Sequence, residues 1–252
     1  MCEIDQNRKP LIHCITNPIA MNQSANAVLA VGGRPMMAEH PFEVAEITET
    51  AGALLLNLGN ISDSRMEAMK VSIKVANTKG IPVVLDVVGI ACSKMRLRFV
   101  YELLKEHAVT VIKGNYSEIQ ALYDSNYRAS GVDCADDVGL GEMCDCLKSI
   151  SAKYKAIIVA TGKTDVVATD VAVEMVDGGC KQLSEVTGTG CMLGAIIATF
   201  LSFKDRYKNE FKMVIKACDY FKQCGKAANM PSHPGSFMVR LLDELGSNTE
   251  LI

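Results

Sequence analysis

Six short apolar runs recur along the chain, separated by longer segments of helical period. They are LIHCI (11–15), RPMMA (34–38), ALLLNL (53–58), PVVLD (82–86), VTVIK (109–113) and AIIVA (156–160). Most are almost continuously apolar, the pattern of strands covered on both faces rather than on one. Between them lie 62–80, opened by Ser62 or Asp63 and closed by Gly80, then 93–107 and 136–154, each with helical spacing. Strand and helix in alternation predict an α/β fold with a mainly parallel sheet and helices on both faces.

After residue 160 the pattern changes. DVVATD (165–170), VAVEMV (171–176) and the pair Gly178-Gly179 predict short antiparallel strands and a turn at the sheet edge, with helices from there to the C-terminus. No repeat or Pro/Ser-rich linker interrupts the 252 residues, so a single domain over 1–252 is expected. With 49% hydrophobic residues the chain can fill a large core. A net charge of -3 gives no electrostatic reason for nucleic acid or an anionic membrane as partner, which leaves a small molecule. The polar start MCEIDQNRKP and the short apolar run near 191–203 predict a cytoplasmic protein with no membrane span. The ten cysteines form no C-x-x-C pair and are expected to be free thiols.

In an open parallel sheet, ligands bind beyond the carboxyl ends of the strands. The apolar runs end in ITN (15–17), MMAEH (36–40), NLGN (57–60), DVVG (86–89), KGN (113–115) and ATG (160–162), which collects polar residues at that end. Turn chemistry alone accounts for many of these residues. TGTGC (187–191) is stronger, because an apolar helical segment follows it directly. A helix opening at Gly188 or Thr189 leaves unpaired N–H groups and a positive dipole end facing any anion. No P-loop or dinucleotide glycine pattern is present. Asn115 and Glu118 in KGNYSE have the spacing of a Mg²⁺-holding pair and equally that of a helix capping box.

Taken in order, ITN, MNQSAN (21–26), PMMA (35–38), LDVVG (85–89), KGN with Glu118, ATGKTD (160–165), TGTGC and PGSF (234–237) resemble the hydroxyethylthiazole kinase family of the ribokinase-like superfamily. The resemblance runs from about residue 8 to 245. It implies transfer of phosphate from ATP to the alcohol of 4-methyl-5-(2-hydroxyethyl)thiazole in thiamine salvage. It also implies a Mg²⁺ requirement and a homotrimer with sites between subunits.

Matched position by position, the resemblance puts Met37, Gly188, Asn17, Asn22 and Asn26 on the substrate side, with Asn22 and Asn26 able to share one helix face. It puts Lys113, Thr161, Asn115 and Gly190 on the ATP side, Asp86 and Glu118 at the metal, and Cys191 beside the reacting hydroxyl. The helix dipole would favour a thiolate there, opposed by nearby phosphates. One departure is Val87, where the family carries proline after the aspartate, and this puts the placement of Asp86 in question. His13 reads as a satisfied core histidine, and His40 and His233 as structural or surface residues. Competing readings are a hydroxymethylpyrimidine kinase, an ATP-dependent repair enzyme for hydrated nicotinamide nucleotides, and a catalytically silent nucleotide-binding protein.

Overall fold

The computed structural model describes residues 9–127, 139–203 and 209–247. Every apolar run named above becomes a strand: β1 Leu11–Ile15, β2 Arg34–Met36, β3 Ala53–Asn57, β4 Val83–Asp86, β5 Val111–Asn115 and β6 Ile157–Thr161. Two further strands, β7 Asp165–Ala168 and β8 Val173–Val176, complete one eight-stranded sheet in the order β2-β1-β3-β4-β5-β6-β7-β8. Pairing is parallel from β2 through β6 and antiparallel for β6–β7 and β7–β8, as the change in pattern after residue 160 predicts.

Alternate strand residues feed two separate cores. Ile12, Leu55, Val84, Val111 and Val159 face one; Ile15, Leu54, Leu56, Leu85 and Ile158 face the other. The first is covered by α1 Met21–Ala30, α8 Thr189–Ser202, α9 Glu210–Ala227 and α10 Pro234–Ser247. The second is covered by α3 Asp63–Lys79, α4 Lys94–Glu106, α5 Tyr116–Tyr123 and α6 Leu140–Tyr154, with α2 Val44–Glu49 packed on α3. The short α7 Gln182–Glu185 precedes α8.

The helix ends follow local chemistry. Ser62 and Ser93 accept the N–H of Arg65 and Arg96 as N-caps of α3 and α4, and Gly80, at φ 65°, closes α3 in the left-handed conformation. The segment expected over 136–154 is helical from Leu140; its first three residues lie outside the described ones. Strand β5 sits two residues later than the apolar run, because its ladder to β6 continues through Gly114 and Asn115 until Asn115 caps α5. Lys113 is thereby fixed in register with Asp86, and Asp86 with Asn57. Val87 donates its N–H to Lys113 O at 2.9 Å, extending the ladder by a bond that proline could not make. Asp86 is therefore held at the end of β4 without the family's proline.

The chain leaves β1 for β2 on one side and returns to β3 on the other. This reversal of strand order opens a crevice beyond the carboxyl ends of β1 and β3, into which α8 points its N-terminus.

Candidate active site

Four polar side chains, Asn17 after β1 and Asn57, Asp86 and Lys113 from β3, β4 and β5, gather beside Cys191 in the first turn of α8. Asn17, after β1, donates through Nδ2 to Asn57 Oδ1 at 3.0 Å and to Cys191 Sγ at 3.2 Å, and accepts the Ala20 N–H at 3.0 Å. Asn57, the last residue of β3, donates to Asp86 Oδ2 at 3.0 Å and to Cys191 Sγ at 3.3 Å, while its Oδ1 also accepts the Gly59 N–H at 2.9 Å. Both amides have their orientation set by the backbone N–H they accept. The sulfur is thus an acceptor of two N–H groups at a helix N-terminus.

Beside it lies a buried ion pair. Lys113 Nζ meets Asp86 Oδ2 at 3.0 Å, and the two side chains are 4% and 0% exposed. Burial would lower the lysine, but its acidic surroundings, Asp86 foremost, hold it above its ordinary value, so the ammonium persists. Burial pushes Asp86 up more than Lys113 and Asn57 pull it down. Its second oxygen, Oδ1, is buried with no hydrogen-bond partner. The Cys191 thiol is also raised, by burial and then by the Asp86 charge, against the pull of Lys113 and the two amides. Burial and the Asp86 charge thus work against the thiolate that the helix dipole would favour.

Of the two readings of Asn115 and Glu118, the capping box is formed. Asn115 Oδ1 accepts the Glu118 N–H and Glu118 Oε2 accepts the Asn115 N–H, both at 2.8 Å, a reciprocal capping box. Glu118 is nevertheless buried beside the site, and its Oε1 accepts the Gly89 N–H at 2.7 Å, tying the DVVG turn to α5. Burial, reinforced by the Asp86 charge, raises its carboxyl to about 7. Among the described residues no cluster of three or more His, Cys, Asp or Glu could enclose a metal ion directly.

Of the TGTGC glycines, Gly188 serves close approach, while Gly190 has room for a Cβ. Gly188 caps α8 at φ 97°, and a Cβ there would sit 3.3 Å from Ala20, in the turn that follows Asn17. A Cβ on Gly190 would sit 3.6 Å from Lys113 Nζ. Thr161 ends β6 and donates to Gly114 O at 3.3 Å. Met37 is partly buried against the core under α8. Asn22 and Asn26 share a face of α1, as expected, but Asn26 Nδ2 donates to Asn22 Oδ1 at 3.1 Å and neither joins the Cys191 cluster in this structure. His13 is buried between Thr48 Oγ1 at 2.8 Å and Ala38 O at 3.0 Å, a core residue that fixes the segment after Met37, while His40 and His233 are exposed.

Sequence reasoning alone missed Asn57, the hub of the network, because NLGN looked like an ordinary strand-end turn. A polar residue closing a fully apolar run was the available signal. It also missed buried Arg65, which donates to Thr16 O and Gly59 O and so braces the turns after β1 and β3. A cavity of about 530 Å³ lies at the opposite end of the sheet, lined by Pro82, Thr110 and Ile157 at the strand starts, away from all these groups.

The sequence profile described as "Hydroxyethylthiazole kinase family" matches residues 3–250. The chain belongs to the hydroxyethylthiazole kinase family. Among relatives, the hydroxyethylthiazole kinase of Finegoldia magna is 44% identical over 78% of this chain and 72% of its own. Among solved structures, the hydroxyethylthiazole kinase protein from Pyrococcus horikoshii OT3 superposes with a TM-score of 0.85 at 32% identity, covering 96% of this chain and 89% of that one. A ribokinase-like superfamily protein from Enterococcus faecalis shares the fold, with a TM-score of 0.69 at 14% identity over 97% of this chain and 90% of its own. The hydroxyethylthiazole kinase family membership thus rests on nearly the whole chain, and its fold is ribokinase-like, with antiparallel edge strands β7 and β8.

Proposed function

We propose that this chain transfers the γ-phosphoryl group of ATP to the primary alcohol of 4-methyl-5-(2-hydroxyethyl)thiazole, giving the thiazole phosphate and ADP in thiamine salvage. The observation that carries the reading is Cys191 at the N-terminus of α8, held by Asn17 and Asn57 and set beside the buried Asp86–Lys113 pair. Chain belonging to the family and site chemistry point the same way.

Asn17, Asn22, Asn26, Met37 and Gly188 form the alcohol side; Lys113, Asn115, Thr161 and Gly190 form the ATP side. The N–H groups at the start of α8 face the phosphoryl oxygens. Phosphoryl transfer through a loose transition state needs alignment and charge neutralisation more than a strong base. That suits a thiol whose pKa is raised: Cys191 orients the hydroxyl, and the alcohol proton passes late to an oxygen of the transferred phosphoryl group, as the new O–P bond forms and the bond to ADP breaks. Asp86, with an unpartnered buried oxygen, and Glu118, a carboxyl whose raised pKa a cation would relieve, fit a hydrated Mg²⁺ shared with the nucleotide. When bound, Mg²⁺ neutralises charge on the triphosphate.

The chain is read as one catalytic domain acting in the cytoplasm; among the described residues no helix is long and apolar enough to cross a membrane. A homotrimer with sites between subunits is supported by Ile19, Met36 and Phe42, large apolar residues exposed beside the alcohol-side segments. The test is ADP release on adding the thiazole alcohol, with the product identified by mass; failure to phosphorylate it would reject the reading.

A further inference from the structure

The turn from β6 to β7 carries Thr161, and it is gripped from beneath by a charge that phosphoryl transfer does not use. Lys222 on α9 is 4% exposed. Its Nζ meets Asp165 Oδ1 at 3.3 Å and donates to Gly162 O at 3.2 Å and Lys163 O at 2.9 Å. An ammonium has three N–H donors, and here three oxygens surround it. Asp165 Oδ1 in turn accepts the Gly162 N–H at 3.0 Å. From the other side Tyr116 donates its hydroxyl to Thr164 O at 2.6 Å. The carbonyls of three successive residues, 162 to 164, are therefore all turned to donors in the body of the protein.

The same lysine reaches the approach to α8. Its stem lies under Gly178 and Gly179, both at positive φ, and a Cβ on Gly179 would come 3.6 Å from Lys222 Cγ. Thr164 Oγ1 donates to Asp177, the residue before those glycines. Burying a lone ammonium or carboxylate is unfavourable, so Lys222 and Asp165 require one another. What the pair achieves is directional: carbonyl oxygens aimed at a triphosphate would repel it, and here cation and hydroxyl hold them away.

We propose that Lys222 and Asp165 are a positioning pair that sets affinity for the nucleotide by fixing the 161–165 turn, with no part in binding the alcohol. This rests on the reading of Thr161 as an ATP contact. The test measures KM for ATP and for the thiazole alcohol, with thermal unfolding, in Thr161→Ala, Lys222→Met and the double variant Asp165→Asn/Lys222→Met. The double variant leaves no unpaired buried charge, so it serves if Lys222→Met alone does not fold. We expect it to raise the ATP KM about tenfold, the loss of one or two hydrogen bonds to a charged group, with the alcohol KM changed by less than about twofold. A wild-type ATP KM in the double variant, or both KM values moving together, overturns the positioning pair; Thr161→Ala raising the ATP KM alone would then leave the nucleotide reading standing. No effect of Thr161→Ala on the ATP KM would remove that reading and the proposal with it.

Discussion

Replacing Asn57 with alanine should damage both stability and turnover, by amounts the network fixes. The side chain makes four hydrogen bonds, to Asp86, Cys191, Asn17 and the Gly59 N–H. Asp86 Oδ2 keeps Lys113 and the sulfur keeps Asn17, so two partners are partly compensated. The Asn17 amide and the Gly59 N–H lose an acceptor in a buried place. At about 0.5–1.5 kcal/mol per bond, more for a stranded buried group, the loss comes to roughly 3 kcal/mol. For a chain of this length that lowers Tm by about 6–12 °C. Cys191 also loses one of the two donors that lower its pKa, so its thiol should alkylate more slowly at a given pH. With the sulfur no longer held from both sides, kcat should fall by about ten- to a hundredfold. Calorimetry, steady-state kinetics and alkylation rates over a pH series check the three expectations. An unchanged Tm together with an unchanged kcat would refute the claim that Asn57 organises the site.

Cys191→Ala should be partly defective and Cys191→Asp neutral or faster, because a carboxylate accepts the two amide N–H groups better than a sulfur does; near-complete loss of kcat in both would mean that the thiol itself is essential. Glu118→Gln should raise the Mg²⁺ concentration needed for half-maximal rate, and a superimposable Mg²⁺ titration would remove Glu118 from the metal site. Burial holds the His13 imidazole below its ordinary 6.5, partly offset by Ala38 O and Glu43, so the unfolded chain takes up that proton first. Stability should therefore be present above about pH 6.5 and fall as pH drops through and below it, and His13→Asn should flatten that fall in urea midpoints measured between about pH 7.5 and 5.5.

The sheet was legible in the sequence because both its faces are covered. ALLLN has all five residues buried, and no solvent-facing alternation obscures such a strand. The edge strand β2 is shorter than its apolar run, ending at Met36, since the segment from Met37 onward is held by His13 rather than by a ladder. Helix α2 was not foreseen: six residues are too few for a periodic signal, and it is stabilised by packing on α3. In the site, Cys191 and Gly188 were legible because a glycine-rich bend meets an apolar helix. Asn57 was not, because its importance lies in partners 29, 40 and 134 residues away in the chain. The spacing of Asn115 and Glu118 fits cap and metal site alike; the capping box is formed, and it holds a buried carboxylate whose pKa the Asp86 charge helps to raise.

The most direct test of the account is the rate of ADP release with Mg²⁺-ATP and 4-methyl-5-(2-hydroxyethyl)thiazole, set beside the rate with hydroxymethylpyrimidine under the same conditions. The account predicts thiazole-dependent ADP release with one thiazole phosphate formed per ADP, and little or none with the pyrimidine. Faster release with the pyrimidine, or ADP release that neither alcohol stimulates, would contradict it.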